Sequence, residues 1–122
     1  MALSYKAMAA NVPSIVLAAL GQDAITGLAG AGTTQGTATA LSYSTNSFTT
    51  VAAGSGAVLS SDAIGGDSQL VYNGGANALK VYPPSGAQIN GLGANNPVSL
   101  APSTACRFEC LSPTLWTGVL SA

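Results

Sequence analysis

Histidine is absent from this chain, and charge of either sign is scarce: three Lys or Arg and four Asp or Glu in 122 residues. The charged set is Lys6, Asp23, Asp62, Asp67, Lys80, Arg107 and Glu109. Charged residues make up 6 % of the chain, against about 25 % in an ordinary soluble domain. Surface charge holds water and keeps copies apart, so a lone globule this poor in charge is a poor colloid. Much of the surface is therefore expected to meet protein rather than water. The same shortage excludes most catalytic chemistry. Without imidazole no Ser-His or Cys-His pair can form. A lysine base falls to Lys6 or Lys80, and Lys80 alternates with apolar neighbours as a solvated strand residue does. A formal net charge of −1 supplies no basic patch for a nucleic acid.

Long apolar runs are missing too. A spanning helix needs about 20 apolar residues, and the longest candidate, residues 8–20, is interrupted by Asn11, Pro13 and Ser14. No membrane span is expected. Lys6, the apolar run and Ala18-Ala19-Leu20 imitate a signal peptide; retention of this segment in the protein is the expectation. Aromatics are 6 % of the chain, so the core must rest on Val, Leu, Ile and Ala. Tyr72, Tyr82 and Trp116 are the candidates for a sugar-stacking platform, although strand aromatics are more often core or interface residues.

Two cysteines are present, Cys106 and Cys110. Four residues apart on one strand, their Cα atoms would lie roughly 13 Å apart, beyond the reach of a disulfide. They read as reduced, buried, apolar thiols. No further Cys or His exists to complete a zinc site. Asp62 and Asp67 flank Ala63-Ile64-Gly65-Gly66 and could supply half of a calcium site; turn aspartates that accept backbone N–H bonds are the preferred reading. Gly91-Leu92-Gly93 lacks the lysine and the strand-to-helix setting of a phosphate loop. No cofactor, no metal and no catalytic residue is expected.

What is abundant is glycine, fifteen in all, among many Ser, Thr and Asn. The first third reads differently from the rest. Asn11, Pro13 and Gly21 bracket a short helix, and Asp23 can cap a second one running through Leu28. Residues 30–39 read as a linker or extended arm. From about Ala40 the text becomes seven or eight strands with turns: 47–53, 56–60, 69–72, 77–82, 97–100, 103–111 and 116–120, with Gln88-Ile89 leading into Asn90-Gly91, and further turns at Asn73-Gly74-Gly75 and Pro83-Pro84-Ser85-Gly86. Spacing of about ten residues predicts an all-β fold, an antiparallel sandwich or jelly-roll-like domain over 41–122, with an N-terminal arm over 1–40 holding one or two short helices. Arg107 and Glu109 share one face of a strand.

The run from Asn73 to Gly86, with Ile89-Asn90-Gly91-Leu92, Val98-Ser99-Leu100, Phe48-Thr49-Thr50-Val51-Ala52 and Trp116, resembles small β-sandwich structural proteins of tailed bacteriophages, over roughly residues 45–122. The resemblance implies a capsid decoration or cement protein: a homo-oligomer, with a trimer favoured, seated on the major capsid protein at the virion surface and made in the bacterial cytoplasm. It carries no catalytic residue. The alternative is a tail-fibre, baseplate or receptor-binding module. The candidate interface residues are Ile15, Val16, Leu17 and Leu20 in the arm, and Tyr82, Arg107, Glu109 and Trp116 in the β-domain.

Overall fold

A computed structural model of the chain describes residues 24–120. The expected helix over 12–20 and the candidate residues Ile15, Val16, Leu17 and Leu20 lie outside the described residues. Ten strands follow one another: β1 (Ala24–Ala29), β2 (Thr39–Ala40), β3 (Thr45–Thr50), β4 (Gly56–Val58), β5 (Ser68–Asn73), β6 (Leu79–Tyr82), β7 (Gln88–Ile89), β8 (Val98–Leu100), β9 (Thr104–Ser112) and β10 (Leu115–Leu120). A 3-10 turn at Gln35–Thr37 is the one helical element among the described residues.

The all-β expectation holds, but the antiparallel jelly-roll arrangement does not. The chain alternates between two sheets as far as β9, and over β1 to β6 each strand pairs with the next but one in its own sheet. The larger sheet has the order β1-β3-β5-β9-β10-β7 and the smaller β2-β4-β6-β8. The pairs β1/β3, β3/β5, β2/β4 and β4/β6 are all parallel. Ala24 lies opposite Thr45, and Thr45 opposite Leu70, so the backbone climbs one coil in 21 residues (24 to 45) and the next in 25 (45 to 70). This is solenoid-like stacking, with each coil giving one strand to each sheet. A parallel pair needs a long crossover, and here the strand in the opposite sheet supplies it in place of a helix. Short strands ten residues apart suit both architectures, so their spacing alone does not separate a climbing stack from the expected antiparallel sandwich.

The C-terminal part ends the stack. Strand β9 runs antiparallel to β5 and β10 antiparallel to β9, and β8 closes the smaller sheet antiparallel to β6. Turning the strand direction stops the parallel coil pattern from continuing at that end, one of the ways in which stacked folds are capped.

Residues 24–40, expected as part of an arm, supply β1, the 3-10 turn and β2. The second expected helix is therefore a strand. Its apolar residues, Ile25 and Leu28, are three apart, a helical spacing. In the structure the ladder slips between Ile25 and Leu28, where Gly27 has φ 75. The bulge absorbs the odd residue and turns both side chains toward the core side.

The core lies between the sheets. Alternate residues of β9, Cys106, Phe108 and Cys110, are buried while Arg107, Glu109 and Leu111 are exposed. They meet Phe48, Val71, Leu79, Val81, Ile89, Leu100 and Trp116 in one cluster. Burying each large side chain is worth about 1.5–3 kcal/mol. At Gly56 in β4 a Cβ would stand 2.8 Å from both the Lys80 carbonyl and the Tyr82 ring, so only glycine lets β4 and β6 come this close.

Buried amides tie the coils together. Asn73, fully buried, donates through Nδ2 to the carbonyls of Asn77 and Leu100, at 2.8 and 2.9 Å, and its Oδ1 accepts from the Gly75 N–H. It thus joins the end of β5 in one sheet to β8 in the other. Gln69 donates to the Tyr43 carbonyl and accepts from the Ser60 N–H. The expected Asn73-Gly74-Gly75 turn is real, but it carries the chain from sheet to sheet and not around a hairpin. Replacing Asn73 with Leu leaves two carbonyls and one N–H without partners, each at about 1–3 kcal/mol. Asn73→Leu is expected to lower unfolding free energy by about 3 kcal/mol or more, read as a fall in urea midpoint at unchanged slope.

Candidate functional site

Three places bear on function: the outer face of the larger sheet, a groove beside the smaller sheet, and the thiols of β9. The outer face is built by strand alternation. Residues 68, 70 and 72 of β5 point away from the core because Gln69, Val71 and Asn73 are buried. By the same rule β9 presents Ala105, Arg107, Glu109 and Leu111. Register sets these side chains in rows. Leu70, Arg107 and Val119 stand side by side across β5, β9 and β10, and Ser68, Glu109 and Thr117 form the next row. Tyr72 stands beside Ala105 in the row beyond. Tyr72, Leu111 and Val119 are among the exposed large apolar residues, with Val119 69 % accessible. Arg107 and Glu109 are both exposed, so β5, β9 and β10 present one cation and one anion among Leu70, Tyr72, Ala105, Leu111 and Val119, with Ser68 and Thr117 in the anion's row and the hydroxyls of Thr45, Ser47 and Thr49 beyond them on β3.

The other candidates fall elsewhere. Trp116 is 1 % accessible and packs in the core beside β7, opposite Ile89. Tyr82 is buried, and its hydroxyl donates to the Thr33 carbonyl at 3.3 Å. Their place in this chain's own interior explains both residues, and it separates them from the exposed Tyr72, so the three aromatics do not form one stacking platform. Asp67 accepts the Ile64 N–H on Oδ2 at 3.0 Å while its own N–H donates to the Ile64 carbonyl, which is the work of a turn aspartate. Among the described residues no group of three Cys, Asp or Glu side chains could hold a metal.

A groove of about 440 Å³ opens at the C-terminal ends of β2, β4 and β6 of the smaller sheet, lined in part by Gln35, Ser42, Ser60, Ser61, Asp62 and Ser85. Gln35 is fixed there by donating to the Pro83 carbonyl at 2.7 Å and to Asn95 Oδ1 at 3.1 Å. Four hydroxyls and one carboxylate, beside Leu41, Val58, Leu59 and Pro84 and with no cation in the lining, suit a neutral ligand with both apolar and hydroxyl groups better than an anion. Sequence reading missed this groove because its residues are ordinary turn serines, brought together by three different coils.

Cys106 and Cys110 are free and buried. Burial pushes the Cys106 thiol up to about 11, offset in part by a hydrogen bond from the Val119 backbone. Burial also raises Cys110, and the Asp67 carboxylate adds to the effect. Neutral thiols are poor nucleophiles. Asn46, also buried, donates to the Tyr43 and Leu70 carbonyls, and its Oδ1 is the one buried side-chain polar atom without a partner among the described residues.

No protein-family model, curated protein or solved structure matches this chain.

The thiol environment gives a pH dependence. An acid whose folded pKa is raised binds its proton more tightly in the native state. Its stabilising effect is complete below the unfolded value near 9 and is lost as the pH climbs from there toward 11. Wild-type protein should lose about 2–3 kcal/mol across that window through Cys106, and Cys106→Ala should flatten this part of the curve. Urea titrations at pH 8, 9.5 and 11 check it. A thiol reagent at pH 8 should react only at the rate of unfolding.

Proposed function

We propose that this chain is a non-catalytic structural protein that assembles on a protein lattice as a homo-oligomer, in the manner of a capsid decoration protein bound to the major capsid protein of a tailed bacteriophage. The observation that carries the reading is the outer face of the larger sheet, where Tyr72, Leu111 and Val119 are exposed beside one charge pair in a chain that is otherwise nearly uncharged. Large exposed apolar faces mark interaction sites. Two further points support it. The turns and strands over 45–122 resemble those of small virion proteins, and the thiols, Tyr82 and Trp116 are engaged in packing and Asp67 in a turn. On this reading the protein is made in the bacterial cytoplasm and ends on the virion surface.

The groove favours a second reading. A hydroxyl-lined groove suits a glycan, and a tail-fibre, baseplate or receptor-binding module would use one.

Cosedimentation of the purified full chain with separated heads and tails of the particle whose genome encodes it decides between them. Pelleting with heads is the expected result, weakened little by raising salt from 50 to 500 mM, because few charges take part. Pelleting with tails alone selects the second reading, and pelleting with neither overturns the proposal.

A further inference from the structure

We infer that the outer face of the larger sheet is a two-fold contact between two copies of this chain, with Arg107 of each copy paired with Glu109 of the other. The inference rests on the reading that this surface meets protein, and it names the partner.

The outward side chains of β9 run Ala105, Arg107, Glu109, Leu111. That is an apolar residue, a cation, an anion and an apolar residue, spaced about 6.6 Å apart. The string maps onto its own electrostatic complement when reversed. A two-fold axis in the plane of the contact, crossing β9 between Arg107 and Glu109, lays a second β9 antiparallel over the first. Each Arg107 then faces the second copy's Glu109, and each Ala105 faces the second copy's Leu111. The same rotation keeps β5 over β5 and β10 over β10. It sets Leu70 over Ser68, and Val119 over Thr117, since these residues share the rows of Arg107 and Glu109.

Charge also chooses among the ways of stacking two such faces. An axis parallel to the strands would put Arg107 on Arg107 and Glu109 on Glu109, and juxtaposed like charges are unfavourable. Only the axis across the strands pairs opposite charges. With the two ions partly desolvated by Leu70, Tyr72, Leu111 and Val119, the pairs supply register and the apolar rows supply attraction. Isologous contacts of this self-complementary kind are the commonest in homo-oligomers.

Size sets the expected strength. Four strands, β3, β5, β9 and β10, span about 19 Å at ~4.8 Å each, so the contact covers on the order of 500 Å² per copy. A stable interface takes about 800 Å² per partner, which places this contact among the weaker ones. It should appear at micromolar concentrations.

Sedimentation equilibrium of the full chain at 5–200 μM tests the inference. Wild type should be a reversible dimer with a micromolar Kd. Arg107→Glu alone and Glu109→Arg alone should each weaken it at least tenfold. The exchange variant R107E/E109R, which restores both pairs across the axis, should recover the dimer to within about threefold. Circular dichroism and urea midpoints show whether each variant is folded, and the exchange variant serves as the decisive one if a single variant is not. A monomer at 200 μM, indifference of the dimer to either single change, or failure of the folded exchange variant to recover would overturn the inference. A dimer that forms in a chain failing to pellet with any part of the particle would leave this contact standing while removing the proposed function.

Discussion

The space between the two sheets is filled by one inward row of side chains from each strand, and every other feature answers to keeping those rows facing one another as the backbone climbs. Phe48, Val71, Phe108 and Trp116 come from one sheet and Leu79, Val81 and Leu100 from the other. A slip of one residue in any ladder would send a whole row outward. The bulge at Gly27, the missing Cβ at Gly56 and the buried amides of Gln69 and Asn73 all act on this register. Gln69 and Asn73 do so by binding main-chain groups of other coils, which fixes the height of one turn against the next. Two cysteines occupy inward positions on β9 as small apolar groups, and their lowered acidity follows from that place.

The sequence marks the strands better than their pairing. The strands expected after residue 40, seven with an eighth left open, are present to within a few residues at each end, and Gln88–Ile89 is the eighth, because β-branched runs between Gly, Pro and Asn clusters report local conformation directly. Which strand lies beside which is not a local property. Spacing of ten residues serves a hairpin and a half-coil equally, and the Asn73-Gly74-Gly75 signal reads the same in both. The helix expected through Leu28 shows the complementary failure: the apolar spacing of three at Ile25 and Leu28 is helical in form but results from a bulge. At the surface, the shared face of Arg107 and Glu109 is legible from alternation alone. The burial of Trp116 and Tyr82 is not, since aromatic strand residues serve core and interface equally well.

A chain with so few charges must place them with care. Of those in the described residues, Asp67 holds a turn, Asp62 borders the groove, Lys80 is half-buried on β6, and Arg107 and Glu109 stand together on the outer face of the larger sheet. Scattered, Arg107 and Glu109 would add a little solubility. Adjacent on one strand, they make that face directional, because a flat apolar sheet has many ways to stack and two opposite charges leave one. The shortage of charge and its location therefore support the same conclusion: a surface made for contact with protein, in a defined orientation.

The climbing parallel stack is the claim on which the rest stands, and backbone nuclear Overhauser contacts test it most directly. Strand β3 should show the parallel pattern of Hα to amide contacts with β5, in the register Thr45 to Leu70 through Phe48 to Asn73, and β4 the same with β6 from Gly56 and Lys80 to Val58 and Tyr82. Short Hα to Hα contacts between β3 and β4 or between β5 and β6, the mark of antiparallel neighbours in a meander, would contradict it.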